Sequence, residues 1–343
     1  MRAIRAKGGF LIGVVIATAW AIPSPERAAQ AFRPVGASVL RDDPLKTPSP
    51  EPQEVSVKLE SDLVTLDVVV LDRQGNFVTG LTKDDFELRH DGVPQPIAYF
   101  EAEVNSSLSR PLAVVFALDT SGSIGRQILE QQDAARRFVS LIQEDSLFAV
   151  IGFNDKIRVL QKFTNDPFRI EEAFEKARAI GGRTRLYDAI DRAITLLVKE
   201  APEKRNGRRL RRVVIVITDG FDYTSTIDRT EVIRRANTAG VTVFSITLPS
   251  YVLSVAGRRR VPTLLDAAGI VAQTGGRDFS AEERDFTPIF KAIAEEIKAS
   301  YLLAYYPPPD HRRDGKFHQI TVTVKRPDLV IRQSRRGYLA ASP

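Results

Sequence analysis

An apolar run that ends in acidic and hydroxyl residues spans residues 112–123 and reads LAVVFALDTSGS. Its uninterrupted apolar part, residues 112–118, predicts a strand buried on both faces, as in a parallel sheet covered by helices. Residues 213–217 read VVIVI, and this row of β-branched side chains predicts a second central strand. Asp119 follows the first run directly, and Asp219 follows the second after Thr218.

Strands and helices alternate on both sides of these two runs. Further strands are predicted at residues 148–153, 157–160 and 241–248, and amphipathic helices near residues 124–142, 186–197 and 286–297. The alternation predicts an α/β domain over residues 110–299, with a doubly wound, mainly parallel, Rossmann-like sheet.

The flanks of this domain follow a different pattern. In residues 54–105 the apolar side chains of Val64, Leu66, Val68 and Val70 recur at every second position, which predicts an N-terminal β module. Residues 300–343 contain further short strands. Either these strands complete the N-terminal module as a small β-sandwich-like unit, with the α/β domain inserted, or they form an independent hairpin packed on the α/β domain.

The N-terminus has the features of a secretory signal. Arg2, Arg5 and Lys7 precede an apolar run over residues 10–22, which is too short to span ~30 Å of hydrocarbon at ~1.5 Å per residue. Residues 1–31 are therefore predicted to be a signal peptide, cleaved after Ala21 or Ala31, with an uncleaved membrane anchor or a buried helix as the alternatives. Five prolines indicate a linker over residues 32–53. We expect an exported protein, periplasmic or extracellular.

Composition limits the chemistry. The 343 residues include 49 Lys and Arg against 43 Asp and Glu, a net charge of +6 that does not by itself indicate a nucleic-acid partner. The absence of cysteine excludes disulfides, thiolate metal sites and a cysteine nucleophile. With only three histidines, His90, His311 and His318, the sequence does not predict a histidine-rich transition-metal site. Any bound metal is expected to be a hard ion held by oxygen.

Short oxygen-bearing side chains occur in three segments where the chain leaves the predicted sheet. The segments are Asp119-Thr-Ser-Gly-Ser123, Gly182-Arg183-Thr184 and Asp219-Gly220, and ligands of open parallel sheets bind beyond the carboxyl ends of the strands. Each segment alone has an ordinary explanation, since Ser and Thr cap helices and Asp-Gly forms turns. Together they predict a site for Mg²⁺, Mn²⁺ or Ca²⁺, with these candidate ligands: Asp119, Ser121, Ser123, Thr184 and Asp219.

At these residues the sequence resembles a von Willebrand factor A domain with a metal-ion-dependent adhesion site. That family has Asp-x-Ser-x-Ser after the first strand, a Thr in a Gly-x-Thr loop and an Asp-Gly after the fourth strand, and the candidate ligands match it position by position. The resemblance implies a non-enzymatic, adhesion-type module whose cation accepts an Asp or Glu carboxylate from a partner protein. In integrin-type members, binding is coupled to movement of the last helix, here residues 286–297.

The flanks carry a narrower likeness. Residues 75–86 and 301–307 are similar to the acidobacterial-type group of exported A-domain-related proteins. Arg183 departs from the family pattern, because a small or neutral residue is usual beside the threonine. A guanidinium there would compete with the cation or pair with an incoming carboxylate.

Two other functions fit parts of the sequence. Residues 121–125 read SGSIG, which approaches the nucleophile elbow of serine hydrolases but lacks its leading glycine; a phosphatase is the related alternative. The other is a metal-independent basic surface that binds anionic envelope components, using a basic cluster over residues 204–212 and Arg258, Arg259 and Arg260, although solvated loops explain such clusters equally. No nucleic-acid partner is expected.

Overall fold

The structure is a computed structural model, and it describes residues 63–102, 110–121, 132–142, 145–177, 181–248, 250–254, 257–261, 266–281 and 286–342. The predicted signal peptide, the predicted linker, Ser123 and the first part of the predicted helix at residues 124–142 lie outside the described residues. Within these ranges, no helix is both long and apolar enough to cross a bilayer.

The strands are numbered in chain order as β1 (Val64–Leu71), β2 (Phe86–His90), β3 (Val93–Gln95), β4 (Tyr99–Ala102), β5 (Leu112–Asp119), β6 (Leu147–Phe153), β7 (Ile157–Thr164), β8 (Lys204–Arg205), β9 (Arg208–Arg209), β10 (Arg211–Thr218), β11 (Val241–Thr247), β12 (Ser250–Ser254), β13 (Gly257–Val261), β14 (Asp278–Ser280), β15 (Ser300–Tyr305), β16 (Phe317–Val324), β17 (Val330–Gln333) and β18 (Gly337–Leu339). The helices are α1 (Gln132–Leu141), α2 (Pro167–Lys176), α3 (Leu186–Lys199), α4 (Arg229–Ala239), α5 (Asp266–Gln273) and α6 (Thr287–Lys298). Two 3₁₀ turns are described as well, at Lys83–Asp85 and Pro309–His311.

The central sheet has the strand order β14-β11-β10-β5-β6-β7. All its pairings are parallel except that of β7, which runs antiparallel at the edge. Val114 and Phe116 of β5 pack in a core with α1, α2 and α6, and Ala113 and Val115 pack in a second core with α3, α4 and α5. Helices therefore cover both faces, which is why β5 and β10 are apolar throughout their central parts. The predicted doubly wound, mainly parallel sheet is confirmed.

Strands from both flanks of this domain pair with one another. One sheet has the order β17-β1-β15-β4, in which Val68 of β1 lies opposite Tyr301 of β15. The other has the order β18-β16-β2-β3, in which Leu88 of β2 lies opposite Val322 of β16. The alternate apolar residues of these strands share a third core, which includes Val68, Leu88 and Tyr301. Pairing of the two flanks buries apolar faces that neither short set of strands covers alone.

Several elements differ from the sequence-based expectation. Helices α2, α4 and α5 are not predicted by apolar periodicity. Asp166 caps α2 by accepting from the Phe168 amide, and Asp228 caps α4 by accepting from the Glu231 amide, so local capping rather than a broad apolar stripe marks where they begin.

The basic residues do not all lie in solvated loops. Residues 258–260 lie on β13, paired antiparallel with β12, and β8 and β9 form a short ladder. Arg211 begins β10 and is buried, because it pairs with buried Asp67. The idea of one exposed basic cluster over residues 204–212 is therefore wrong at Arg211.

Candidate functional site

Asp119 and Asp219 lie at the carboxyl ends of two neighbouring strands. Strands β5 and β10 are parallel, and Leu118 pairs with Ile217 immediately before the ends of both strands. The Thr218 hydroxyl donates to Oδ2 of Asp119 at 2.8 Å, and the Ser121 amide donates to Oδ1 at 2.9 Å. The parallel register thus brings the Asp119 segment and the Asp219 segment together.

The electrostatics of this pair are unfavourable without a positive charge. Asp119 is fully buried, and this burial raises the pKa of its carboxyl to about 6. Hydrogen bonds from Ser121 and Thr218 favour ionisation, whereas the nearby negative charge of Asp219 opposes it. A buried carboxylate beside a second carboxylate is stabilised by a bound cation, which removes both the desolvation cost and the repulsion.

Thr184 reaches the same edge of the sheet through the loop that follows Asp219. It is buried, and its carbonyl accepts hydrogen bonds from the amides of Tyr223 at 3.0 Å and Thr224 at 3.3 Å. Asp222 in this loop accepts from the amides of Leu186 at 2.7 Å and Tyr187 at 3.2 Å. Arg185 at the N-cap of α3 makes no side-chain cap, so Asp222 satisfies the unpaired amides there.

The loop that precedes Thr184 is held by the turn after β6. Asn154 donates to the Gly181 carbonyl at 2.9 Å, and Asp155 accepts from the Arg183 amide at 3.0 Å. Gly182 has φ of +100°, and a Cβ there would lie 2.3 Å from Oδ2 of Asp155. This position therefore requires glycine, both for its left-handed backbone and for the close approach of Asp155.

Of the five candidate ligands, Asp119 and Ser121 are in direct contact and Asp219 acts on Asp119 through its charge. Thr184 joins this group through its backbone, and Ser123 lies outside the described residues. The Arg183 side chain is exposed while Thr184 is buried. Sequence reasoning missed the supporting roles of Thr218 and Asp222, although Thr218 lies next to Asp219 and a polar residue ending an apolar strand was the available signal.

A doubly wound sheet that gathers acidic and hydroxyl side chains at its carboxyl edge defines a class of ligand-binding α/β domain. Within this class, the family model of the von Willebrand factor type A domain matches residues 113–263. This part of the chain belongs to the von Willebrand factor type A family.

Curated relatives align with the same region. Integrin alpha-M of Mus musculus is 27% identical over 162 residues, which cover 44% of this chain and 13% of the relative. Inter-alpha-trypsin inhibitor heavy chain H3 of Homo sapiens is 30% identical over 115 residues, which cover 32% of this chain and 13% of the relative. The match thus spans about an eighth of the length of these relatives.

Solved structures with a similar fold include two bacterial proteins. BatB from Bacteroides thetaiotaomicron is 18% identical with a TM-score of 0.44, and the alignment covers 54% of this chain and 97% of that one. A von Willebrand factor type A protein from Catenulispora acidiphila is 12% identical with a TM-score of 0.44, covering 75% of this chain and 74% of that one.

Proposed function

We propose that this protein is a non-enzymatic, divalent-cation-dependent protein-binding module. The observation that carries the proposal is the buried Asp119 carboxyl, which accepts from Ser121 and Thr218 and feels the charge of Asp219. Such a group is costly to ionise in the free protein and is favourable beside a cation. The family membership of residues 113–263 supports this reading.

The donor set suits a hard ion such as Mg²⁺, Mn²⁺ or Ca²⁺, because all the proposed ligands offer oxygen. Asp119 and Asp219 would supply negative charge, and Ser121, Ser123 and Thr184 would supply neutral hydroxyl oxygens. A cation held with little negative charge remains electrophilic, so it would bind an Asp or Glu carboxylate of a partner protein. Thr218 and Asp222 would act indirectly, by orienting Asp119 and by holding the loop that carries Thr184.

The organisation of the chain is part of the proposal. Residues 1–31 would direct export to the periplasm or beyond, and residues 32–53 would separate the folded part from the cleavage site. Residues 54–105 and 300–343 would form one β module around the binding domain at residues 110–299, an arrangement supported by the pairing of β1 with β15 and of β2 with β16.

Capture from a cell-envelope extract tests this function. Immobilised wild-type protein should retain a partner in Mg²⁺ and release it in EDTA, whereas Asp119→Ala should retain none. Asp328→Ala is the matched control, since this carboxylate is exposed and lies in the β module. Calorimetry on the same three proteins should show Mg²⁺ binding for wild type and Asp328→Ala only. Equal Mg²⁺ binding by Asp119→Ala would contradict the proposed site.

A second candidate function has its own support. A cleft of about 340 Å³ is lined by several basic side chains, and the described residues around it include no acid; its arginines are Arg209, Arg212, Arg312, Arg313 and Arg335. This cleft suits an anionic ligand such as a phosphate-bearing lipid. Binding to vesicles of anionic phospholipid should then fall steeply with salt and be insensitive to EDTA, whereas cation-dependent partner binding should show the opposite response.

A further inference from the structure

All three histidines of the sequence meet in one cluster within the β module, together with Asp91. His90 ends β2, Asp91 lies in the turn that follows, His311 ends the 3₁₀ turn at Pro309–His311, and His318 lies on β16. One potential ligand atom from each residue lies within 4.8 Å of the other three. The cluster is separate from the carboxyl edge of the α/β sheet, and the cation site proposed there does not use it.

The ring nitrogens converge on one carboxylate oxygen. Oδ2 of Asp91 lies 2.7 Å from Nδ1 of His318, 3.4 Å from Nε2 of His90 and 3.8 Å from Nδ1 of His311. His90 Nε2 and His311 Nδ1 are 2.9 Å apart. A tetrahedral zinc ion with bonds of about 2.0–2.1 Å separates its ligand atoms by roughly 3.3–3.4 Å. The observed separations lie on both sides of that value, so small side-chain adjustments would complete the site.

The far nitrogen of each imidazole also faces an oxygen. Nδ1 of His90 is 2.8 Å from the Tyr305 hydroxyl, and Nε2 of His318 is 3.0 Å from Oδ1 of Asp314. Nε2 of His311 lies 3.6 Å from Oδ2 of Asp310. Metal-binding histidines commonly have such a partner on the second nitrogen, because it fixes the tautomer and orients the ring toward the ion.

The backbone holds the cluster in place across a long stretch of sequence. Asp91 and Gly92 have φ of +49° and +81° in the two-residue turn between β2 and β3, a conformation typical of tight hairpins. The Asp91 amide donates to the Gln319 carbonyl at 2.9 Å, and Oδ1 of Asp91 accepts from the Gln319 amide at 2.7 Å. Asp91 is thereby fixed beside His318, more than 220 residues away in sequence.

We propose that His90, Asp91, His311 and His318 form a structural zinc site that fastens the N-terminal flank of the chain to the C-terminal flank. Four protein ligands with nitrogen and oxygen donors are the usual complement of a closed zinc site. His90 and His318 are buried, whereas Asp91 and His311 are about one-third exposed, which gives the ion a path to the site. In a chain without cysteine, a metal takes the cross-linking role that a disulfide has in many exported proteins.

The electrostatics of the cluster are compatible with an ion. Burial lowers the pKa of His90, and the neighbouring His318 and His311 lower it further, although Asp91 opposes them. Neutral imidazole is the form that binds zinc. Burial also opposes protonation of His318, but its hydrogen bonds to Asp91 and Asp314 overcome this and raise its pKa, so zinc would have to displace a proton from this ring. The alternative is a purely hydrogen-bonded His–Asp network, and it predicts no zinc affinity.

Metal titration of the full chain, purified without a polyhistidine tag, separates these possibilities. Wild-type protein should bind one Zn²⁺ per chain in calorimetry and melt at a higher temperature in its presence. With Co²⁺ as the probe, it should show the intense visible absorption of tetrahedral coordination. Zn²⁺ that neither binds nor shifts the melting temperature, or Co²⁺ that gives only the weak spectrum of the hydrated ion, would overturn the proposal.

Variants assign the binding to these residues. Asp314→Asn should weaken Zn²⁺ binding by about 10–100-fold through its effect on His318, and His311→Ala should weaken it further because a ligand is lost. His311 is partly exposed, so this variant is expected to fold, which its far-ultraviolet circular dichroism checks. Asp119→Ala should bind Zn²⁺ as the wild type does, even if the site at the sheet edge fails its own test. Unchanged Zn²⁺ affinity in folded His311→Ala would refute the assignment.

Discussion

Asp67 of β1 and Arg211 of β10 form a buried ion pair that joins the flanking β module to the α/β domain, with Nε of Arg211 3.4 Å from Oδ2 of Asp67. Arg110 approaches the other carboxylate oxygen at 3.0 Å. Burial opposes ionisation of Asp67, but the charges of Arg110, Arg211 and Arg335 outweigh it and hold the pKa of this carboxyl below its usual range. The carboxylate therefore stabilises the junction as the charged form.

Asp67→Ala should lower the free energy of unfolding by about 3–5 kcal/mol, because it leaves two arginines near the junction without their carboxylate. Urea unfolding followed by circular dichroism measures the loss. Asp328→Ala removes an exposed partner of Arg73 and should change stability by less than about 1 kcal/mol. A loss in Asp67→Ala no larger than in this control would show that the junction does not depend on the ion pair.

The pKa of Asp119 predicts how metal binding responds to pH. Because burial raises that pKa to about 6, Mg²⁺ must displace a proton below this pH. The apparent affinity should fall by roughly tenfold for each pH unit below 6. Calorimetric titrations between pH 5 and pH 7.5 measure this dependence, and an affinity constant across that range would contradict protonation of a ligand.

The metal-free protein should respond in the opposite direction. A carboxyl whose pKa is raised on folding contributes stability that is fully present below the unfolded pKa of 3.8 and is lost as pH rises through about 6. The difference in unfolding free energy between wild type and Asp119→Asn in EDTA should therefore shift against the wild type from pH 4 to pH 7. Comparison with the asparagine variant cancels the titration of the other groups.

The sequence predicts the parts of the fold whose pattern is local. Residues 213–217 are β-branched and apolar because β10 is buried on both faces, so the strand is evident without its neighbours. Helix α4 is largely polar, with Val232 and Ala236 in the core, and no apolar stripe marks it. The candidate ligands were found because each follows or precedes a predictable element.

The histidine cluster could not be found in this way. His90 lies 221 residues from His311, and they meet only because β2 pairs with β16 across the inserted domain. No local pattern encodes that pairing. A count of three histidines argues against a metal site only when their positions are taken as independent, and the strand register places all of them together.

The Gly-x-Thr loop offers a matched pair of substitutions. Gly181 and Gly182 both have positive φ, at +84° and +100°, but only at Gly182 would a Cβ meet Asp155. Gly181→Ala should cost about 1–2 kcal/mol from backbone strain alone. Gly182→Ala should cost more and should also weaken Mg²⁺ binding, because displacement of Asp155 releases the Arg183 amide beside Thr184. Thermal melts and Mg²⁺ calorimetry of the two variants measure the difference. Equal Mg²⁺ affinities would show that the contact with Asp155 does not position Thr184.

Helix α6 is fastened at its C-terminal end by two contacts. Arg211 donates to the Ile297 carbonyl at 3.0 Å, and Glu296, which is fully buried, pairs with Arg332 of β17 at 2.9 Å. This helix is the one that moves on ligand binding in integrin-type domains, as the family resemblance implies. Here the flanking β module supplies Arg332, so a shift of the helix would separate a buried ion pair, which is costly.

We expect α6 to stay fixed when Mg²⁺ binds, so its amides should exchange hydrogen at the same rate in Mg²⁺ and in EDTA. Arg332→Ala leaves the Glu296 carboxylate buried without its partner, and exchange in α6 should then be at least about 100-fold faster. Arg326→Ala is the control, because Arg326 lies in the same module but makes an exposed pair with Asp85. Exchange mass spectrometry with peptide-level resolution over residues 286–299 measures all three proteins. Faster exchange of α6 in wild-type protein on addition of Mg²⁺ would mean that the helix moves despite these contacts, and that the β module does not lock it.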